Sequence, residues 1–230
     1  MAEPNRSVAR KGRAGGGPVN SATPLLKSVN NKEDIRTALF LQIKADLRQR
    51  LRARLRGIPA ARRAECSAGA QALLARQRVW REAKAVLFYA ALPDEIDLGA
   101  LLEEALAEGR AVALPRFSPE TGAYEACQID NFSRDCAPGK FGVREPSARC
   151  PVFPLNRLDL TLVPGVGFDS DGHRLGRGQG YYDRLLARVA GTRCGVAFDE
   201  QITPAIPVEP HDMTLNCIIT PTRWMEFPGR

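Results

Sequence analysis

Histidine is scarce in this sequence, and cysteine never occurs at the spacing that metal sites use. The chain has two histidines, His173 and His211, which argues against a histidine-rich metal centre. Its six cysteines include no CxxC pair, so neither a zinc motif nor a thioredoxin-like motif is present. We therefore expect reduced thiols, most of them buried.

Long apolar runs and several catalytic motifs are also missing. No stretch approaches 18 uninterrupted apolar residues, and the first thirty residues lack the apolar segment of a secretory signal peptide. The chain has no GxSxG elbow of serine hydrolases and no GxxxxGK[ST] loop of P-loop proteins. These absences leave a cytoplasmic enzyme or binding protein as the expectation.

Positive charge is concentrated near the N-terminus. The net charge is +7, of which residues 1–34 carry +3 and residues 35–56 carry +6, so the rest of the chain carries −2. This asymmetry is compatible with attraction of nucleic acid or of another anion. The alternative is a solvated helix face that follows a disordered tail, and charge runs usually indicate such a surface.

The domain organisation follows from a change in composition near residue 35. Residues 1–34 are rich in Gly, Pro, Ser and Asn and show no period, which predicts a disordered tail. An organellar transit peptide would also be rich in arginine, but Glu3 and the GGG run fit it poorly. We expect the tail to be followed by a single domain over 35–230.

A helix is predicted from about Ile35 to the residue before Gly57. Within it, Lys44 and Arg48 lie four residues apart, beside the apolar stripe. Two cations one turn apart repel each other slightly unless an anion lies near them. The apolar residues of the stripe recur at four-residue steps and are Leu39, Phe40, Ile43, Leu47, Leu51 and Leu55.

Further along, short apolar runs alternate with helical segments. This alternation predicts an α/β fold with a mainly parallel sheet flanked by helices, and ligands bind such sheets beyond the carboxyl ends of the strands. The segment between Ser118 and Pro154 is rich in turns and gives no clear prediction. Strands are predicted at 85–90, 111–116, 158–165, 194–198 and 217–220, and helices at 59–78, 97–109 and 182–189.

The most unusual stretch is LGRGQG (175–180), in which glycines occupy alternate positions before a predicted helix. Glycine lets backbone amides approach a bound group closely, and the start of a helix favours an anion, most often phosphate. Arg174, Arg177 and Arg184 can add charge-assisted hydrogen bonds. The spacing differs from the GxGxxG of dinucleotide-binding folds, so a tight hairpin with an incidental arginine stays an alternative.

In these motifs the chain resembles the 5-formyltetrahydrofolate cyclo-ligase family, also called 5,10-methenyltetrahydrofolate synthetases. The resemblance is strongest over LVPGVGFDSDGHRLGRGQGYYDRLL (162–186) and extends over roughly residues 40–221, including the KxxxR pair of the first helix. The accompanying motifs occur in the order of the family and are FGVREP (141–146), GVAFDEQ (195–201), IPVEPHD (206–212) and CIITP (217–221).

The resemblance implies a three-layer α/β fold, related to that of sugar-phosphate isomerases and CoA-transferases, and a monomeric enzyme. The implied reaction converts 5-formyltetrahydrofolate, with or without a polyglutamate tail, to 5,10-methenyltetrahydrofolate, with ATP as co-substrate and Mg²⁺ as cofactor. Transfer of the γ-phosphoryl group to the formyl oxygen would give an iminium phosphate, which N10 attacks to close the ring. Catalysis would then consist mostly of positioning and charge stabilisation.

The family likeness also assigns residues that bind ATP and the metal ion. Lys44 and Arg48 look like ligands of the ATP phosphates, and Arg177 would stabilise charge on the transferred phosphoryl group. Asp183 and Asp212 look like ligands of Mg²⁺, directly or through water; the alternatives are a partner of the helix dipole and a turn former. The implied ATP-binding residues are Lys44, Arg48, Arg174, Leu175, Gly176, Arg177, Gly178, Gln179, Gly180, Tyr181 and Tyr182.

For the folate substrate, the resemblance points first to Glu95. A carboxylate suits the paired N–H donors of a pterin ring, and Ala90 would line the same pocket. Alternatively, Asp94 and Glu95 begin the following helix. Arg177 and Tyr181 are the catalytic candidates. The implied substrate-binding residues are Ala90, Glu95, Arg177, Gly178, Gln179, Gly180 and Tyr181.

The chain departs from the family pattern at a few positions, and two other functions stay open. Many members have a serine within the segment that reads YAALPDE (89–95) here, and some have lysine at the position of Gln179. The tail has no counterpart. One alternative is another phosphate-handling enzyme of similar fold, such as a sugar-phosphate isomerase or CoA-transferase relative. The other is a nucleic-acid binder that uses residues 1–56, although no aromatic residues interleave its arginines; the resemblance implies neither nucleic-acid nor membrane partners.

Overall fold

The structure is a computed structural model that describes residues 32–139, 142–209 and 212–227, with side chains from Ile35 on. It divides into two units, Met1–Ala38 and Leu39–Arg230. Helix α1 covers Lys32–Arg56, so the predicted helix exists and begins three residues earlier than expected. The predicted disordered tail lies outside the described residues as far as residue 31.

Helices are present at the three other predicted segments, with shifted ends, whereas the two short helices Arg78–Glu82 and Phe132–Asp135 were not predicted. The helix predicted at 59–78 covers Ala60–Ala75 and so ends three residues early. The one predicted at 97–109 begins after Asp97, whose Oδ1 accepts a hydrogen bond from the Gly99 amide at 2.9 Å. No described helix is both long and apolar enough to cross a membrane. The bounds are α2 Ala60–Ala75, α3 Arg78–Glu82, α4 Gly99–Ala107, α5 Phe132–Asp135 and α6 Tyr181–Leu186.

Twelve strands are described. They are β1 Ala85–Leu87, β2 Ala111–Ser118, β3 Ala123–Ile129, β4 Cys136–Pro138, β5 Arg144–Pro146, β6 Leu160–Val163, β7 Gly167–Asp169, β8 Arg174–Leu175, β9 Thr192–Val196, β10 Ile202–Thr203, β11 Cys217–Ile219 and β12 Trp224–Glu226. Seven form the central sheet in the order β12-β11-β9-β6-β1-β2-β3. The five inner strands are parallel and the two edge strands antiparallel, which confirms the predicted mainly parallel sheet.

Both faces of the central sheet are covered, which is why its strands read as short continuous apolar runs. Val86 and Val112 belong to the apolar cluster that contains Trp80, α2 and α4. Their neighbours Leu87 and Ala113 point to the opposite face and pack with the cluster that includes α6. All six cysteines are buried free thiols, as predicted.

A smaller sheet, in the order β10-β7-β8, carries α1. Leu47 and Leu51 of α1 are buried against residues of β8 and of the neighbouring loops. Gly167 lies so close to α1 that a Cβ atom there would stand 2.4 Å from Leu51 Cδ1, so any larger residue would force the Leu51 side chain to shift. The apolar stripe of α1 is buried only from Leu47 onward, because Leu39 and Ile43 are 59% and 42% exposed.

The order of the strands creates a crevice at the carboxyl ends of β1 and β6. From β1 the chain proceeds to β2 on one side, whereas β6 lies on the other side of β1. The connections that leave these two neighbouring strands therefore diverge, and α/β sheets bind ligands at such a switch point. The segments that open this crevice are Tyr89–Ala90 after β1 and Pro164–Gly165 after β6.

Candidate active site

A cavity of about 740 Å³ lies at this switch point, within the unit Leu39–Arg230. The sequence-predicted site residues come from five separate segments, and the structure brings all of them to the lining of this one cavity. They are Lys44, Arg48, Ala90, Glu95, Arg174, Leu175, Gly176, Arg177, Gly178, Gln179, Gly180, Tyr181, Tyr182, Asp183 and Asp212.

The glycine loop lies against α1. Arg48 Nε donates a hydrogen bond to the carbonyl oxygen of Gly176 at 2.9 Å. Gly178 has a φ of +103°, a conformation that side chains rarely adopt, and a Cβ atom there would stand 3.6 Å from Arg48 Cζ. Burial, and then the charge of Arg52, lower the pKa of Arg48. A cation of the first helix therefore meets the glycine loop, as the sequence predicts.

Lys44, one turn earlier on α1, is buried and forms two ion pairs. Its Nζ lies 2.7 Å from Asp212 Oδ2 and 3.0 Å from Glu209 Oε2, and 4.8 Å from the centroid of the Phe40 ring. Asp212 Oδ2 also accepts a hydrogen bond from the Glu209 amide at 2.9 Å. These carboxylates supply anions near the two stacked cations of α1, which relieves the repulsion expected from the sequence.

Arg174, at the entry to the glycine loop, is paired in the same way. Its Nη2 lies 2.7 Å from Oδ1 of Asp183 in the first turn of α6, and its guanidinium lies 5.6 Å from the centroid of the Tyr182 ring. Together with Lys44 and Arg48, Arg174 forms what we call the cationic wall of the cavity. Both predicted Mg²⁺ ligands, Asp183 and Asp212, are ion-pair partners of this wall.

Arg177 does not join the cationic wall. Its Nη2 donates to Asp94 Oδ1 at 2.7 Å and to Glu95 Oε1 at 2.9 Å. The other oxygen of Glu95 accepts a hydrogen bond from the Leu92 amide at 3.0 Å. Burial raises the pKa of Glu95, and the Leu92 and Arg177 interactions oppose that rise. Asp94 and Glu95 precede α4, which begins at Gly99, so neither lies in that helix.

Aromatic rings form another part of the cavity lining. Tyr181 packs edge-on against Phe117 and Tyr124, with ring centroids 5.4 Å apart in both pairs. Burial raises the pKa of Tyr124 to about 12, so its hydroxyl stays protonated near neutral pH. Tyr89 donates from its hydroxyl to the Ile96 carbonyl at 2.6 Å. We call Tyr89, Tyr124 and Tyr181 the aromatic wall.

Sequence reasoning missed several lining residues. Tyr124 lies on β3, in the segment between Ser118 and Pro154 that had no clear prediction, and nothing in the local pattern distinguishes it. Glu209 belongs to the IPVEPHD motif, which also contains the predicted site residue Asp212. Its position in that motif was the signal from which Glu209 could have been predicted. The other missed lining residues are Leu41, Tyr89, Leu92, Pro115, Val143, Arg144, Glu145, Pro164 and Gly165.

A second group of possible metal ligands lies outside the cavity lining. Donor atoms of Asp169, Asp171 and His173 lie within 4.8 Å of one another. Asp169 is already saturated, because its two oxygens face the amides of Asp171, His173 and Ile206 and the Nδ1 atom of His173 at 2.9–3.0 Å. The group therefore stabilises the turn after β7.

Comparison with known proteins gives a consistent result. Residues 41–221 match the model of the 5-formyltetrahydrofolate cyclo-ligase family. The chain is 31% identical over 198 residues to the 5-formyltetrahydrofolate cyclo-ligase of Mus musculus, covering 76% of this chain and 92% of that protein. The corresponding Escherichia coli protein is 30% identical over 149 residues, covering 63% and 82%. The solved structure of Aquifex aeolicus 5,10-methenyltetrahydrofolate synthetase superposes with a TM-score of 0.74 at 28% identity, covering 82% of this chain and 95% of that one.

Proposed function

The chain belongs to the 5-formyltetrahydrofolate cyclo-ligase family and is an enzyme, and on that premise we propose that it converts 5-formyltetrahydrofolate to 5,10-methenyltetrahydrofolate at the expense of ATP. The relatives and the structural neighbour carry cyclo-ligase or synthetase names, which supports this function and not the alternative of an isomerase or CoA-transferase.

The observation that supports the proposal most directly is that one cavity has two chemically different walls. The cationic wall offers Lys44, Arg48 and Arg174, which suit the phosphates of a nucleotide. The aromatic wall, with Glu95 beside it, offers ring faces and a carboxylate, which suit a flat heterocycle with N–H donors. A reaction between ATP and a folate needs both surfaces in one enclosed space.

The proposed chemistry assigns a separate task to each wall. The formyl oxygen is a poor leaving group until it receives the γ-phosphoryl group, and N10 then attacks the formyl carbon, closes the ring and expels phosphate. The cationic wall would hold the phosphates and offset the charge that develops during transfer. The aromatic wall and Glu95 would fix the pterin so that the formyl group faces the nucleotide, with Arg177 and Tyr181 next to the reacting atoms.

The carboxylates of the cavity fit Mg²⁺. Asp183 and Asp212 already hold the cationic groups of Arg174 and Lys44 at 2.7 Å, and carboxylate oxygens are the ligands that this hard cation prefers. We propose that these two residues hold the ion, directly or through water. When bound, Mg²⁺ would neutralise part of the phosphate charge during transfer.

Further parts of the proposal concern the whole chain. The catalytic domain would comprise residues 35–230, and residues 1–34 would not be needed for catalysis. The enzyme would act as a monomer in the cytoplasm on small-molecule substrates, and folates with polyglutamate tails would be accepted. These statements are supported by the family resemblance and by the match over residues 41–221.

The test is a direct assay. Purified protein is mixed with 5-formyltetrahydrofolate and MgATP, and the ultraviolet absorption band of the methenyl product is followed together with ADP and phosphate. We expect the band to appear only when both substrates are present, with one ADP and one phosphate released for each product. A preparation that binds MgATP but forms no ATP-dependent methenyl band would disprove the proposal.

A further inference from the structure

We propose that Asp94 is a positioning residue that, together with Glu95, holds Arg177 away from the nucleotide until the folate substrate binds. This inference rests on the proposed function, in which Glu95 binds the pterin and Arg177 stabilises the transferred phosphoryl group. The structure has these two residues bound to each other, with Arg177 Nη2 2.9 Å from Glu95 Oε1. While that pair is intact, Arg177 Nη2 and Glu95 Oε1 are engaged with each other and not with a ligand.

The mobile partner of this pair is Arg177. Its side chain is 36% exposed, and it belongs to a loop without helix or strand that is flanked by Gly176 and Gly178. The Glu95 side chain is only 8% exposed and is held by the Leu92 amide at 3.0 Å. Arg63 further anchors the segment through a 2.7 Å hydrogen bond to the Pro93 carbonyl. When the pair between Arg177 and Glu95 gives way to contacts with the substrates, Arg177 therefore moves and Glu95 stays in place.

Asp94 differs from Glu95 in its access to the ligand. Glu95 lines the cavity, whereas Asp94 does not, although its Oδ1 lies 2.7 Å from the same nitrogen of Arg177. A bound pterin thus competes with Arg177 for Glu95 and leaves the pair with Asp94 intact. That single pair is partly exposed, and partly exposed ion pairs contribute little to stability, so it breaks readily in favour of a phosphoryl group.

This arrangement links the two substrates. Without folate, two carboxylates retain Arg177, and ATP lacks the cation that stabilises phosphoryl transfer to water. With folate on Glu95, only Asp94 retains Arg177, and the cation becomes available when the formyl oxygen is in position to accept the phosphoryl group. Asp94 thereby limits wasteful ATP hydrolysis. Asp94 also weakens folate binding slightly, because it keeps Arg177 beside Glu95, where the arginine competes with the pterin.

The experiment compares the full-length wild type with Asp94→Asn, which removes the charge and keeps the size of the side chain. We expect ATP hydrolysis without folate to rise about three- to fivefold, and the Kd of 5-formyltetrahydrofolate, measured by equilibrium dialysis without ATP, to fall by a similar factor. Asp94→Glu retains the charge and should restore both values toward the wild type. The matched control is Asp130→Asn, an exposed aspartate outside the cavity lining, which should change neither.

The possible outcomes are distinguishable. A purely structural link between the two loops would give weaker folate binding in Asp94→Asn, and this result, or unchanged values for both measurements, would overturn the inference while a wild type that forms methenyl product still supports the proposed function. A wild type that forms no methenyl product would overturn the proposed function and this inference with it. Thermal unfolding of each variant identifies any that fails to fold.

Discussion

The cationic wall and the aromatic wall of the cavity are stabilised by different interactions. Two of the three cations in the cationic wall already face carboxylates: Lys44 lies 2.7 Å from Asp212 and Arg174 2.7 Å from Asp183. The aromatic wall is built from rings that pack on one another, as in the 5.4 Å contact between Tyr124 and Tyr181. In the proposed function, phosphates would therefore enter by exchanging ion-pair partners, whereas a flat ring would enter by filling space.

Arg48 is the member of the cationic wall whose hydrogen bond goes to a carbonyl and not to a carboxylate, so its charge is the most available to phosphate. We expect Arg48→Ala to lower kcat/KM for ATP about 100-fold or more, as is typical when a preorganised donor of a transition state is removed. The Kd of the folate should not change. Steady-state kinetics and equilibrium dialysis measure the two effects.

The matched control for that variant is Arg50→Ala, because Arg50 lies on the same helix, is exposed and does not line the cavity. It should retain wild-type kinetics. If Arg48→Ala kept the wild-type kcat/KM for ATP, or if it weakened folate and ATP binding equally, the division of the cavity into two walls would be incorrect.

The variant Glu95→Gln tests the proposed folate-binding side of the cavity, at the carboxylate beside the aromatic wall. The change removes the charge of the proposed pterin acceptor, and hydrogen bonds to charged groups contribute about 1.5–3 kcal/mol, so the Kd of 5-formyltetrahydrofolate should rise about 10- to 100-fold. The Kd of MgATP should stay within experimental error, as measured by calorimetry. Glu103→Gln, an exposed carboxylate on α4, serves as control. Equal weakening of both ligands would contradict the assignment of Glu95 to the folate.

The smallest predicted effect is a change in how the free energy of unfolding depends on pH. Burial raises the pKa of Glu95 above its ordinary value of 4.5 in the folded state, so its neutral form stabilises the fold at low pH and that stabilisation is lost as the pH rises through the folded pKa. The Glu95→Gln variant has no carboxyl group to titrate at this position, so it does not lose this stabilisation as the pH rises. Its free energy of unfolding relative to the wild type should increase between pH 4 and pH 7, as measured by urea unfolding, and a decrease would show that ion pairing outweighs burial.

Much of the fold was predictable because its signals are local. The alternation of apolar runs and helical segments gave the parallel sheet, and Asp97 and Gly109 marked the ends of one helix, where Gly109 has a φ of +73°. Strands β4, β5 and β12 escaped prediction because each has only three residues, and β3, with seven, because it lies in the turn-rich segment and shows no strong period. The exposed first half of the α1 stripe escaped because periodicity shows which residues are apolar but not what covers them.

The sequence predicted which residues belong to the site, but not which of them pair with one another. The family motifs and the glycine spacing identified residues that do line one cavity. That Arg177 prefers Asp94 and Glu95, 83 and 82 residues away, depends on which carboxylates the folded chain brings nearest, and no local pattern contains that information. The same holds for Lys44 and Asp212, which lie 168 residues apart.

The ion pair between Lys44 and Asp212 also has a consequence for biosynthesis. A ribosome makes the helix that carries Lys44 early and the segment that carries Asp212 late, with five of the seven strands of the central sheet translated between them. A nascent chain can therefore bury its apolar core in stages, but it acquires the complete lining of the cavity only near the end of translation. Incomplete translation products that stop before this segment would fold in part and stay inactive.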